Sequence, residues 1–293
     1  MFNKIRNSLA YRLPMLYRFL LKLYFKTRKH PNIQNKTDKY NLIIFSGYEQ
    51  LDMLNVCLKS ILSNFSQVPH IYVVTDHSLN SKNCKKVIHW YPVNEISVIS
   101  GLDCLAYHNE TGSHLLKEFA VQNPLGLKLA AILQITDLGK PVIYSDTDVI
   151  WYQDPLPTLT DFLNNSHFNL ALSQDVQPAY DSNLINTCGL KELNNKPFLC
   201  SGIMFINRLN DNHYRTVEAL LPATISQSNH FTEQTIFAYL NKQNGNFCLD
   251  KEKYIMELDD MLRFLPKKNP QVIARHYIGG VRHLFWRDAL WLN

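Results

Sequence analysis

Val142-Ile143-Tyr144-Ser145-Asp146-Thr147-Asp148-Val149-Ile150-Trp151, followed by Asp154-Pro155, is the stretch on which the reading of this chain turns. Apolar β-formers carry the backbone to two carboxylates two residues apart, and apolar residues then resume. A strand ending in Asp-x-Asp sets hard oxygen ligands at a sheet edge. That is the donor chemistry of Mg²⁺ or Mn²⁺, which bind through one or two carboxylates plus phosphates of a substrate. Asp is also an ordinary turn residue. A turn alone does not account for Val-Ile-Tyr before the acids and Val-Ile-Trp after them, because burying that much apolar chain holds the carboxylates rigidly. The motif points to handling of a diphosphate, most commonly that of a nucleotide-sugar.

Upstream, residues 42–45 form a strand ended by Ser46-Gly47, 51–62 carry one apolar helical face, and 70–75 form a strand ending at Asp76. A weaker strand is expected within 87–98, a helix over 126–138, and the Asp-x-Asp strand over 141–150. Strands alternating with helices indicate an α/β fold with a mostly parallel sheet covered on both faces, whose ligands bind at the carboxyl ends of the strands. Ser46, Asp76 and Asp146 fall at those ends. Downstream, 169–173 lead as a strand to Gln174-Asp175. A further strand at 198–207 carries Ser201-Gly202 near its start, a helix spans 232–240 with Thr232 as its cap, and 273–283 form a strand running into a glycine turn.

With 46% hydrophobic and 19% charged residues, the 293-residue chain can bury a large core. Its net charge of +5 is concentrated in the leader, where nine basic and no acidic residues lie within 1–37, leaving the rest near −4. Charge so confined argues against nucleic acid as a partner. Phe2, Ile5, Leu9, Leu13, Leu16, Leu20 and Leu23 form one helical stripe, which Pro14 is expected to break or kink into two short helices. Arg18 and Lys22 interrupt any signal-peptide core. The leader reads as a helix on an anionic membrane surface or, alternatively, as one docked on the protein's own core. Residues 30–40 read as a polar linker, so the division is a basic leader and linker, 1–39, and a main domain, 40–293. No uninterrupted apolar run reaches the 18 residues of a membrane span. Six widely spaced cysteines without a Cys-x-x-Cys pair argue against a zinc site or disulfide framework and suit a reducing compartment. The expected location is the cytoplasm, peripheral on the cytoplasmic membrane face.

In this order the motifs resemble the retaining glycosyltransferases of the GT-A fold, in particular the glycogenin and bacterial lipopolysaccharide galactosyltransferase group and related nucleotide-diphospho-sugar transferases. The resemblance spans about 40–286. It rests on Asp146-Thr147-Asp148 with its Trp151 and Asp154-Pro155 tail, Leu172-Ser173-Gln174-Asp175, Ser201 to Asn207, Glu233-Gln234, and His276-Tyr277-Ile278-Gly279 with Arg282. It implies a GT-A domain over 40–293, a Mn²⁺ or Mg²⁺ ion on Asp146, Asp148 and His276, and donor contacts from Ser46, Tyr48, Lys128, Asp146, Ser201, Gly202, Gly279 and Arg282. Asp175, Glu233 and Gln234 are the implied catalytic candidates. The implied reaction moves a sugar from a UDP-sugar to a glycan or glycolipid acceptor with retention, in cell-surface polysaccharide or lipopolysaccharide synthesis.

Each role has a physical basis beside a plainer reading. A neutral imidazole completes a two-carboxylate site, glycines at 279 and 280 admit a close backbone approach, and the Arg282 fork grips a phosphate. Tyr48 offers a face for uracil, and Asp76 a base or ribose contact. Against these, Lys128 is equally an exposed helix lysine, Glu233 a cap partner and Asp175 a turn residue. The chain departs from the family at Arg282, where Lys is usual, at Cys200, where Asn is common, and at His283-Leu284-Phe285-Trp286 in place of Pro-Trp. Two other readings stand beside this one. A metal-dependent sugar-phosphate phosphohydrolase of the haloacid dehalogenase type would want Thr or Val where Ile150 stands, and its motif near the domain start. A catalytically silent GT-A domain would bind UDP and metal as a binding partner without turnover.

Overall fold

The computed structural model describes residues 2–29, 33, 35–165, 167–225, 227–258, 262–265 and 269–292. Ten strands run in chain order: β1 (Lys36–Ser46), β2 (Val68–Thr75), β3 (Ile96–Ser100), β4 (Val142–Asp146), β5 (Val149–Trp151), β6 (Leu170–Gln174), β7 (Leu199–Ile206), β8 (Phe247–Cys248), β9 (Tyr254–Ile255) and β10 (Ala274–His276). Seven form one sheet in the order β3-β2-β1-β4-β7-β6-β8, and three form a second, β5-β10-β9. The pairs β3–β2, β2–β1, β1–β4 and β6–β8 are parallel, while β7 runs against both its neighbours.

The central strands are apolar on both faces because helices cover both. Leu42, Ile44, Ile71, Val73, Ile143 and Phe205 enter one core, and Ile43, Val74, Val142, Tyr144 and Met204 the other. This period of two is the pleat itself. Parallel β1, β2 and β4 end together, with Phe45 opposite Asp146 and Ser46 opposite Thr75. Reversed β7 starts at that same edge, so the beginning of a strand delivers Ser201 and Gly202 beside the ends of the others.

Several expectations shift. The third strand lies at Ile96–Ser100, and the helix before β4 spans Pro124–Thr136, capped by Asn123. Thr232 is the first residue of its helix and not the cap; its hydroxyl instead donates to Asp181. Part of the expected linker is strand, since β1 begins at Lys36 and pairs with Val68; residues 30–32 and 34 lie outside the described residues.

The leader departs most. Pro14 does not divide it: one helix runs Phe2–Thr27. A helix loses a hydrogen bond at an interior proline, but anchors on either side hold this one in line. Tyr11 stacks against His283 at 4.7 Å, Arg18 pairs with Asp52 at 2.8 Å and sits 5.2 Å over Trp286, and Phe25 stacks on Trp90 at 5.1 Å. The face that docks carries Ala10, Pro14, Leu21 and Phe25. The apolar stripe read from sequence points mainly outward, with Leu9, Leu16, Leu20 and Leu23 all between 44% and 54% exposed. The side chains of Phe2 and Ile5 lie outside the described ones. No helix among the described residues is long and apolar enough to cross a membrane.

Candidate metal and donor site

At the common strand edge, Asp146, Asp148 and His276 each offer a ligand atom, and these atoms lie within 4.8 Å of one another. β4 and the turn after it bring the two carboxylates, and β10, paired antiparallel to β5, brings the imidazole. His276 Nε2 lies 3.1 Å from Asp148 Oδ1 and 3.5 Å from Asp146 Oδ2. Burial of Trp151, whose indole N–H donates to Ser145 Oγ at 3.2 Å, pins the turn between β4 and β5. A Cβ on Gly202 would fall 2.2 Å from His276 Cε1, so only glycine lets the imidazole occupy this place. Cys200 Sγ, at 3.6 Å from His276 Nδ1, fixes the other ring nitrogen.

Two carboxylates and an imidazole suit a hard divalent cation with room for phosphate oxygens. The electrostatics agree. Burial alone would push Asp148 up, but His276 and the Arg282 guanidinium hold it below the ordinary carboxylate range. Burial would lower His276, yet Asp148, with Cys200 adding to it, holds the imidazole well above its usual value. The site therefore keeps a positive partner on its carboxylates, and a metal would take the place of that proton.

A second shell of charge lies behind. Lys128, 3% exposed and not a surface lysine, donates to Ser201 O and Oγ, both at 3.1 Å. Its ammonium lies 3.3 Å from Asp146 Oδ1, 3.4 Å from Glu233 Oε1 and 4.6 Å over the Tyr144 ring. Glu233 Oε2 accepts from Ser201 Oγ at 3.0 Å, while Oε1 is buried without a hydrogen bond. Burial raises the Glu233 carboxyl to about 7, against the pull of Lys128. Gln234 Oε1 accepts from the Ser201 N–H at 3.3 Å, and its amide donates to Ala179 O at 2.8 Å and lies 3.5 Å from Asp175 Oδ2.

A cleft of about 310 Å³ gathers Lys128, Asp146, Asp148, Ser201, Glu233, Gln234 and Arg282. The other sequence candidates stand around it. His276 and Gly202 are buried just beneath; Ser46 is buried under Gly47, which does line the cleft. Asp175, half-buried, faces a neighbouring hollow of about 710 Å³ and touches the cleft through Gln234. Gly279, at φ +32°, turns the chain into the closing helix Arg282–Ala289. Arg282 heads that helix and gives both Nε and Nη2 to Asp148 Oδ2, at 3.1 and 2.8 Å. Tyr48, 62% exposed, lines an adjacent cleft with Gln50. Sequence reasoning missed Gln50, His230 and Phe231, which also line the metal cleft. The aromatic pair precedes the Glu233-Gln234 helix in a loop without periodicity, and only its adjacency to that motif marked it. Asp76, read at a strand end, lines the cleft as well, accepting from Ser78 N at 2.8 Å.

A family model for nucleotide-diphospho-sugar transferases matches residues 105–273. A sequence comparison with curated proteins finds no match. Among solved structures, mouse xyloside xylosyltransferase 1 superposes with a TM-score of 0.57 at 12% identity, over 83% of this chain and 98% of that one. The galactosyltransferase LgtC, solved with donor and acceptor sugar analogues, gives 0.57 at 15% identity over 86% and 96%. The glycosyltransferase GlyE of Streptococcus pneumoniae gives 0.52 at 14% over 86% and 60%. At such identities these likenesses bear on the fold, which is the GT-A arrangement.

Proposed function

Because the chain belongs to the nucleotide-diphospho-sugar transferase family and is on that account a glycosyltransferase, we propose that it moves a sugar from a UDP-sugar to a glycan or glycolipid acceptor with retention of configuration. The single observation that carries the donor reading is the Asp146–Asp148–His276 cluster at the sheet edge. These three would hold Mn²⁺ or Mg²⁺, which would supply Lewis acidity to a diphosphate leaving group. Arg282, at the cleft mouth, would add a fixed cation to that diphosphate, its fork turning from Asp148 to phosphate oxygens. Lys128 holds Asp146 in place and, with Ser201 and Glu233, forms a rigid floor for donor hydroxyls. Gln234 would lie nearest the reacting carbon, with Asp175 orienting its amide. Glycines at 202 and 279 serve by admitting His276 and by aiming Arg282.

The reading extends to location. The leader, taken as a unit of 1–39 on a catalytic domain of 40–293, would lie on an anionic membrane face through its exposed leucines and its basic residues. That favours an acceptor of cell-surface polysaccharide or lipopolysaccharide synthesis, built at the cytoplasmic face. The deciding experiment is UDP release from a panel of UDP-sugars, with and without Mn²⁺, in wild type and Asp148→Ala. Release that needs the ion and vanishes in the variant supports the donor site, and the best substrate names the sugar. Absence of UDP binding under all conditions sinks the UDP assignment. For the membrane face, Leu16→Glu/Leu20→Glu should abolish co-sedimentation with anionic vesicles; unchanged sedimentation rejects it.

A further inference from the structure

Beside the metal cleft lies a larger one, of about 920 Å³, walled on one side by the leader helix and on the other by the Tyr48–Gln50 turn and the helix Ser81–Val87. Its volume is in the range of small-ligand sites. Its charge is one-sided. Arg18, Lys22 and Lys26 enter from the leader, Lys86 from the facing helix, and Arg282 from the closing helix, against only Glu49 and Asp52. Asp52 is already taken, paired with Arg18 at 2.8 Å and lying 3.7 Å from Lys22. Lys26 and Lys86 have no ion-pair partner among the described residues, although they come from segments about 60 residues apart in sequence and converge on one space. Both side chains are exposed, so an anion in the cleft can reach them from solvent.

The cleft is not isolated. Gln50 and Arg282 line both it and the metal cleft, so a ligand here ends next to the donor site. The exposed Tyr48 ring adds a flat wall of the kind that sugar rings pack on. Building on the transferase reading above, we propose that this cleft is a second anion site that takes the phosphate-bearing end of the acceptor, with Lys22, Lys26 and Lys86 as its cations. The phosphate belongs either to a lipid carrier, entering past the leader helix, or to a soluble phosphorylated glycan.

The test uses the full chain with the donor site saturated by UDP and Mn²⁺, titrated calorimetrically with farnesyl phosphate, glycerol 3-phosphate and, as a neutral control, farnesol. Phosphate-dependent binding should persist beside UDP. It should weaken at least about tenfold in Lys26→Ala/Lys86→Ala, whose exposed positions leave folding intact, and return in Lys26→Arg/Lys86→Arg. UDP affinity should not move. Farnesyl phosphate binding more tightly than glycerol 3-phosphate assigns the lipid source, and equal binding the soluble one. Probes displaced by UDP, or bound equally by the alanine variant, overturn the proposal. Failure of the donor reading would show separately, as absent UDP binding in wild type.

Discussion

β10 is three residues long and serves two charged clusters that behave in opposite ways. Arg275 points into a network gathered on one carboxylate: Asp288 Oδ2 accepts from Tyr277 at 2.6 Å, from Arg287 at 3.0 Å and from Arg275 at 3.4 Å, and Tyr152 joins through Tyr277 at 2.6 Å. His276, the next residue, points to the sheet edge, where Asp146, Asp148 and Glu233 are spread among Lys128, His276 and Arg282 at separations mostly above 3 Å. The first cluster surrounds one carboxylate with donors and shuts it away from water. The second leaves Asp146 a quarter exposed and a buried Glu233 oxygen without a hydrogen bond. A carboxylate surrounded by donors holds structure, whereas carboxylates held apart around a cleft leave coordination for something that arrives later.

That contrast can be broken from either side. The largest effect should come from Asp148→Ala, with turnover falling at least about 10³-fold, comparable to loss of a major electrostatic stabiliser; chelation of the wild type should match it. An active, chelator-resistant variant would place the chemistry elsewhere. Asp288→Ala should instead cost roughly 3–5 kcal/mol of stability, because two buried guanidiniums lose an anionic partner. Urea unfolding reads this, and the remaining folded protein should keep its affinity for UDP and metal. A parallel fall in metal affinity would show the two clusters to be one. Gly202→Ala, which drives a methyl into the His276 ring, should weaken metal binding about 10–100-fold with little change in fold, as followed by Mn²⁺ titration.

The smallest effect is a pH dependence. Glu233 sits at about 7 when folded against an ordinary 4.5, so the folded state binds its proton more tightly than the unfolded one. Stability from this group is complete below about pH 4.5 and is lost as pH rises through 7. In metal-free protein, Glu233→Gln should therefore gain on wild type across that window, by roughly one to three kcal/mol. A pH-independent difference between the two would mean that Lys128 has already neutralised the carboxylate.

The sheet and most of the site were legible because both follow short-range rules. β4 ends where its apolar run meets Asp146, and the parallel ends of β1 and β2 follow from alternation with helices. Asp146, Asp148 and His276 could be paired because each lies in a motif whose residue types suit one ligand chemistry. Illegible parts depended on distant partners. Lys128 reads as a surface lysine until β7 supplies Ser201 to receive it, and Arg282 gives no sign that it pairs with Asp148, 134 residues away. Pro14 should stop a helix by local rules, and partners far away in sequence, among them Asp52, Trp90 and the closing helix, keep the two halves aligned.

The docking of the leader against that closing helix also has a consequence in time. Thr27 and Arg282 are 255 residues apart, so at synthesis rates of about 5–20 residues per second the leader is made roughly 13–50 s before its main partner exists. Throughout that interval the helix carries two uncovered faces, one basic and leucine-rich and one that will later be buried. The leader can therefore close onto its main partner only after Arg282–Ala289 has been made.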